Sequence, residues 1–357
     1  MISNEKYVPI LKCKAGEFIA LDKLPEDLKD EIVPIADLVP IQNKKSFVEH
    51  IQSSIGYIQT WGNERLLYID GYMIQDTDLV IGRKKYMEYI FNELRKSKHN
   101  VIPVISNISN PEYIKQVNNI AEKDKRGVCL RIFGNREINI NDEIERMIPR
   151  IGLKINQIDL LIDLQSVEIL SVNEILNWQK VIFSILIYPS NWRSLVLSGS
   201  NFPINLSKLT ANQIHLITRK HWLAWNELHN NKDIDRYPSY SDYGISHPLM
   251  SEVEGIPNAS ASIRYTHEKE YFIYRGRGTR QHGFEQFFDL SESLINSEEF
   301  YGEEHCAGDK YISVCGTDKE KTGSLKTWRW VGTCHHLTVV VNQLRQFWRD
   351  FKAERTS

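Results

Sequence analysis

The chain has 357 residues, a formal charge of -2 at neutral pH, 41% hydrophobic and 25% charged residues. That balance excludes bulk attraction to nucleic acid, so any such role needs a local basic patch. No apolar run approaches the roughly 18–20 residues of a membrane helix, and Val181–Tyr188 is far shorter.

The five cysteines, Cys13, Cys129, Cys306, Cys315 and Cys334, are odd in number and scattered, and no signal peptide opens the sequence. A reduced, cytoplasmic protein without a membrane anchor is the expectation. The first informative stretch is Val8–Leu21. Strand alternation there puts Ile10, Lys12 and Lys14 on one face and Leu11 and Cys13 on the other. A face that passes from apolar to cationic suits a strand running from a packed core into a functional mouth.

A second apolar run, Ile32-Val33-Pro34-Ile35, lies in Glu31–Pro40. The spacing of Phe47, Ile51, Ile55 and Ile58 predicts a helix over Phe47–Trp61. A strand at Leu66–Ile69 ends in Asp70-Gly71, followed by a helix at Ile81–Leu94 and a strand at Val101–Ser106. Pro111 opens a helix to Ala121, as proline favours a first turn. Val128–Phe133 reads as a fifth strand containing Arg131, and Asp142–Ile151 as a helix stopped by Gly152. In the sixth strand, Ile158–Gln165, the residues Asp159, Leu161, Asp163 and Gln165 share a face. A helix over Asn173–Tyr188, a strand at Ser194–Leu197, a helical stretch at Leu206–His229 and a strand at Asp242–Ile245 complete the series.

Eight strands at steps of about thirty residues have the cadence of βα units. They predict an α/β fold, a (β/α)8 TIM-like barrel. A doubly wound sheet with a separate C-terminal domain is the alternative. The apolar stripe Leu337, Val340, Val341, Leu344, Phe347, Trp348 and Phe351 suits an eighth outer helix. Residues 1–253 and 333–357 then form the barrel, and 254–332 a large insertion between strand 8 and the last helix. It carries strand-like pieces at Ser262–Tyr265, Glu270–Tyr274 and Tyr311–Val314. Such an insertion emerges on the face that carries barrel active sites and acts as a lid.

On this scaffold Lys12, Lys14, Glu17, Asp70, Arg131, Asp163, Gln165 and Asp242 converge at strand ends. Cations there hold an anionic ligand, and Glu17 or Asp163 serves as acid or base. A satisfied ion-pair network filling the barrel is the plainer alternative. Ser198-Gly199-Ser200-Asn201 after the seventh strand offers backbone N–H groups to phosphate through Ser198 and Ser200. Gly332-Thr333-Cys334-His335-His336, at the start of the last helix, does the same and places His335 as a catalytic group and His336 as a ligand contact. Zinc at His305, Cys306, Cys315, Cys334, His335 and His336 is set aside, because no pair has the close spacing of structural sites. Magnesium on Asp70, Asp163 or Asp242 fits better. Tyr271, Tyr274, Arg275, Arg277 and Arg280 form an aromatic, basic stripe suited to single-stranded nucleic acid, or a solvated strand edge.

The opening Val-Pro-Ile-Leu-Lys-Cys-Lys-Ala-Gly-Glu with Ala20-Leu21, Arg264-Tyr265-Thr266, Tyr274-Arg275-Gly276, Gly308-Asp309, and Trp328-Arg329 leading to His335-His336-Leu337 together resemble the beta protein family of bacteriophages and bacteria. The resemblance implies a phage or prokaryotic setting, phage–host conflict included, and assigns no reaction. The residues themselves predict a barrel that binds and hydrolyses a phosphate-bearing small molecule or nucleic acid. Arg264 and Arg275 of the lid join Lys12, Lys14 and His335 around one hollow. The second expectation, from a different class, is a non-catalytic binding or immunity protein with a protein partner.

Overall fold

The structure, a computed structural model, describes residues 3–41, 46–75, 80–231, 234–250 and 259–356. In chain order its strands are β1 (Ile10–Lys12), β2 (Ile35–Asp37), β3 (Leu67–Asp70), β4 (Val80–Ile81), β5 (Lys84–Lys85), β6 (Val101–Ser106), β7 (Val128–Phe133), β8 (Ile158–Ser166), β9 (Ser194–Ser200), β10 (Gln213–Thr218), β11 (Ser239–Ser241), β12 (Ser260–Thr266) and β13 (Glu270–Gly278). The helices are α1 (Ala15–Asp22), α2 (Glu26–Lys29), α3 (Phe47–Gln59), α4 (Tyr86–Lys96), α5 (Pro111–Asp124), α6 (Ile140–Ile151), α7 (Val172–Ile185), α8 (Lys220–Leu228), α9 (Thr279–His282), α10 (Gln286–Ile295), α11 (Ala307–Asp318) and α12 (Leu325–Thr356).

Eight strands form one sheet in the order β1-β2-β3-β6-β7-β8-β9-β11, each neighbour parallel to the next. Its two ends nearly meet. The Val8 N–H donates to the Tyr240 carbonyl (3.0 Å) and the Ile10 N–H to that of Asp242 (2.8 Å). The result is a mixed α/β protein with a nearly closed, barrel-like parallel sheet.

Alternation sorts the strand side chains into two cores. Ile10, Ile35, Tyr68, Val104, Cys129, Leu161 and Val196 pack together in one apolar cluster on the inner face. Leu11, Ala36, Ile69, Ile105, Leu130, Ile162 and Leu197 join the helices in a second, larger one. Burial on both sides explains why these strands read as continuous Val, Ile and Leu runs. The intervening helices start where caps dictate: Ser46 with Glu49 and Ser171 with Glu174 form capping boxes, and Asn110 caps α5 ahead of Pro111.

Several elements lie elsewhere than expected. The last barrel strand is Ser239–Ser241, so Asp242 sits just past it instead of opening a strand at 242–245. Leu206–His229 is not helical throughout. Gln213–Thr218 pairs antiparallel with β13, which also pairs with β12, and only Lys220–Leu228 is helix. Ser262–Tyr265 and Glu270–Tyr274 are strands as expected, whereas Tyr311–Val314 lies inside α11. The final helix begins at Leu325, eight residues ahead of the expected boundary at 333. The other end of the expected insertion, at Glu254, lies outside the described residues. No helix among the described residues is long and apolar enough to cross a membrane.

α11 docks tightly on α12. A Cβ at Gly308 would stand 2.4 Å from the Val331 carbonyl oxygen, far inside contact distance. Gly308→Ala is therefore expected to cost about 1–3 kcal/mol by forcing the two helices apart, read as a lower urea midpoint.

Candidate functional site

The inner face turns polar toward the carboxyl ends of the strands. Lys12, Asp37 and Asp70 are direct register partners on β1, β2 and β3. Arg131 enters from β7 and is fully buried, as are Asp37, Asp70 and Asp163. Its Nη1 donates to Asp37 Oδ1 and Asp70 Oδ2 (both 2.8 Å), its Nε to Asp163 Oδ2 (2.9 Å) and its Nη2 to the Tyr243 hydroxyl (2.7 Å). The rings of Tyr72 and Phe133 lie 5.1 and 4.5 Å from the guanidinium carbon. Three carboxylates thus face one cation. Burial pushes Asp37 up to about 6 against the pull of Arg131, and Asp70 is raised for the same reason.

Here the ion-pair network expected as the plainer alternative is what forms. Asp163 Oδ1 accepts the Gln165 N–H (2.9 Å), and Asp70 Oδ1 that of Tyr72 (3.0 Å). Arg131 occupies the cation's place between Asp70 and Asp163, and Asp242 belongs to another cluster. Asp70 and Asp163, two of the three alternatives for magnesium, are thus bonded to Arg131. Asp37 was missed by the sequence reading because the second strand was set three residues early, ending before its carboxylate.

A second group surrounds the mouth. Lys12 Nζ donates to the carbonyls of His247 and Pro248 (3.0 and 2.9 Å). Lys14 precedes α1, whose first turn carries buried Glu17. Arg329, reaching over from α12, donates to Ser246 Oγ (2.8 Å) and lies 3.9 Å from Glu17 Oε1. Arg264 donates to the Ile245 carbonyl (2.8 Å) and covers the Phe202 ring at 5.0 Å. Burial lowers Lys12 to about 8 and also lowers Lys14 and Arg264, and Arg329 adds repulsion to each. Glu17 offsets part of this for all three. Arg275 adds to the lowering of Arg264. Among the described residues, four desolvated or half-buried cations gather around Glu17, with Asp37, itself bound to Arg131, also facing Lys12. Arg329 is the member that the sequence does not single out; there it stands only among the residues that carry the family resemblance.

A third cluster gathers around Asp242 and the paired histidines of α12. Asp242 accepts from the Tyr240 hydroxyl (2.9 Å) and the Gly244 N–H (2.9 Å), bonds the Tyr7 hydroxyl, and lies 3.1 Å from His336 Nε2. The other nitrogen of His336 meets Thr266 Oγ1 at 2.8 Å. His335 points to the opposite partner set: Nδ1 to Asp309 Oδ2 (2.8 Å) and Nε2 to the Thr266 carbonyl (2.7 Å), with the Tyr265 ring stacked at 3.8 Å. Burial disfavours the imidazolium, yet Asp309 outweighs it and raises His335 to about 10.

The single hollow expected from the sequence is therefore divided. Lys12, Lys14, Glu17 and Arg264 come together; Asp70, Arg131, Asp163 and Gln165 form the buried network; Asp242 and His336 pair with tyrosines. His335 does not join Glu17 and Asp163, because the early start of α12 turns it toward α11. For the same reason residues 332–336 lie inside a helix and their N–H groups do not form a phosphate-binding helix start. Ser198 and Ser200 lie within β9 instead of a loop; the Ser200 hydroxyl donates to the Ser246 carbonyl (3.2 Å), while Ser198 Oγ is buried without a partner. Tyr271 and Tyr274 are buried, so the proposed stacking stripe with Arg277 and Arg280 does not form. A cavity of about 340 Å³ lined by Tyr7, Glu31, Leu344, Trp348 and Lys352 contains none of the mouth residues.

A family model described as Beta protein matches residues 7–342, nearly the whole chain. No curated protein and no solved structure matches.

Proposed function

We propose that this chain, which belongs to the Beta protein family, binds a phosphate-bearing ligand, a nucleotide or nucleic-acid end, at the mouth of a (β/α)8 barrel roofed by the inserted segment. The observation that carries this reading is the convergence of Lys12, Lys14, Arg264 and Arg329 around Glu17, with Asp37 facing Lys12 as well. Cations held together out of water gain most from an anion that neutralises several at once. Hydrolysis at this mouth would fall to Glu17 as acid or base, since Asp163 is bound to Arg131 and Tyr243 and His335 to Asp309. A cytoplasmic setting suits five cysteines that are all free thiols.

A thermal-shift screen of nucleotides, inorganic phosphate and short oligonucleotides, with and without magnesium, tests the reading. Stabilisation that disappears in Lys14→Ala supports it; no response from any of these anions overturns it. A second reading, a scaffold for a protein partner, draws on Ile214 and Leu216, which stand 47% and 61% exposed along β10. Co-purification of a partner that is lost on Leu216→Lys would favour it.

The pH dependence follows from Lys12, which faces Asp37, Glu17, Lys14 and Arg329. Its folded value near 8 lies below the ordinary 10.5. Between those two values the unfolded chain binds more protons, so this residue's contribution to stability increases with pH across that window. Ligand binding runs the other way. Affinity for phosphate is expected to fall as pH rises through about 8, by up to roughly tenfold per unit, as Lys12 loses its charge. Calorimetric titrations at pH 7 and 9 check this, with Lys12→Met flattening the slope.

A further inference from the structure

We propose that His305, Cys306, Asp309 and His335 form a structural zinc site that fastens the inserted helix α11 to α12. The spacing along the chain gives no zinc motif, yet folding brings these donors into one pocket. One ligand atom each from His305, Asp309 and His335 lies within 4.8 Å of the other two. Asp309 Oδ2 is the common neighbour, 2.8 Å from His335 Nδ1 and 2.9 Å from Cys306 Sγ. Cys334 stands beside Cys306 as a further thiol.

The donor chemistry selects the ion. A thiol, two imidazoles and a carboxylate are the ligand types of tetrahedral zinc, whereas magnesium and calcium take oxygen. Zinc bonds of about 2.0–2.3 Å imply donor separations of roughly 3.3–3.8 Å. His305, Asp309 and His335 already offer atoms within 4.8 Å of one another, and the Cys306 thiol, in contact with Asp309, completes the set by turning toward His305.

A second observation points to a missing partner. His305 Nε2 is buried and makes no hydrogen bond, although the ring sits 5.4 Å from that of His335. The second imidazole around Asp309 is thus left unsatisfied, which hydrogen bonding within the cluster alone does not explain. Asp309 and His335 are fully buried and Cys306 nearly so, with the half-buried His305 at the edge, an enclosure that suits a structural zinc site. The outer contacts are in place as well. The Tyr265 hydroxyl donates to Asp309 Oδ1 (2.7 Å), and His335 Nε2 meets the Thr266 carbonyl, fixing Nδ1 as the ligand nitrogen. On binding, the Cys306 thiol and the His335 imidazolium each release one proton to solvent, and the thiolate, neutral imidazoles and carboxylate coordinate the ion.

The test uses the full chain, stripped of metal by a chelator under reducing conditions and verified as folded by circular dichroism. Zinc is titrated against a chromophoric chelator, and cobalt is added in parallel. The expected result is one equivalent of zinc per chain, a raised melting temperature, and a cobalt spectrum with a thiolate charge-transfer band. Cys306→Ser and His305→Ala should each weaken zinc by more than about tenfold, and Cys315→Ser, whose thiol lies elsewhere on α11, should not. Three results overturn the proposal: no zinc uptake by the folded wild-type chain at equimolar metal, uptake unchanged in both ligand variants, or a Cys306–Cys334 disulfide in place of the thiols. The wild-type titration decides alone if the variants fail to fold.

Discussion

Arg131→Met should lower stability by about 3–5 kcal/mol, the largest effect expected of any single side chain considered. The substitution leaves Asp37, Asp70 and Asp163 buried without their shared cation, and an uncompensated buried charge is far costlier than the intact pair is favourable. Arg131→Lys should recover little of this, since one ammonium cannot reproduce bonds to three carboxylates and the Tyr243 hydroxyl. Asp37→Asn in the Arg131→Met background should restore part of the loss, because burial opposes the ionisation of Asp37, as it does that of Asp70, and Asp37 Oδ2 has no hydrogen-bond partner. Urea unfolding of the three variants checks the series. Equal stability of wild type and Arg131→Met would show that the network is solvated and not buried.

The second large effect concerns the mouth. Replacing Lys14 and Arg329 together by alanine is expected to weaken phosphate-bearing ligands about 100-fold or more, taking roughly 1.5–3 kcal/mol for each charge-assisted contact removed. The melting temperature should fall only modestly, because both cations offset the buried Glu17 while repelling each other. Affinity in the wild type should also fall with added salt, since half-exposed charges are screened. Calorimetry at low and moderate ionic strength separates these outcomes. Intact binding with a large fall in melting temperature would make Lys14 and Arg329 structural.

The barrel strands were legible because a parallel sheet covered on both faces needs unbroken β-branched and aliphatic runs, and Val101–Ser106, Val128–Phe133 and Ile158–Gln165 supply them. The last strand was misplaced because Ser239-Tyr240-Ser241 has no such run; tertiary pairing with β9 makes it a strand. Gln213–Thr218 was hidden inside a helical pattern for a related reason. It is a half-exposed strand whose partner, β13, lies more than fifty residues away. Tyr311–Val314 has strand-like composition but packs as helix against α10 and α12, an instance of context overriding propensity.

The candidate site was legible only as far as single residues allow. Lys12 and Arg131 were found because a charge on an apolar strand face is conspicuous. Their partners were not separable, since alternation tells which face a side chain takes and not which of many carboxylates it meets. Asp309, the hub beside His335, carried no such contrast. It lies in a polar helix start where an aspartate is ordinary.

The seam between Tyr240 and Val8 also has a kinetic consequence. The two strands that meet there are separated by roughly two hundred and thirty residues, so on a ribosome adding about 5–20 residues per second the earlier one waits some tens of seconds for its neighbour. During that interval β1 exposes an unpaired edge, and Lys12 and Lys14 at its end act as gatekeepers that discourage other chains from annealing to it.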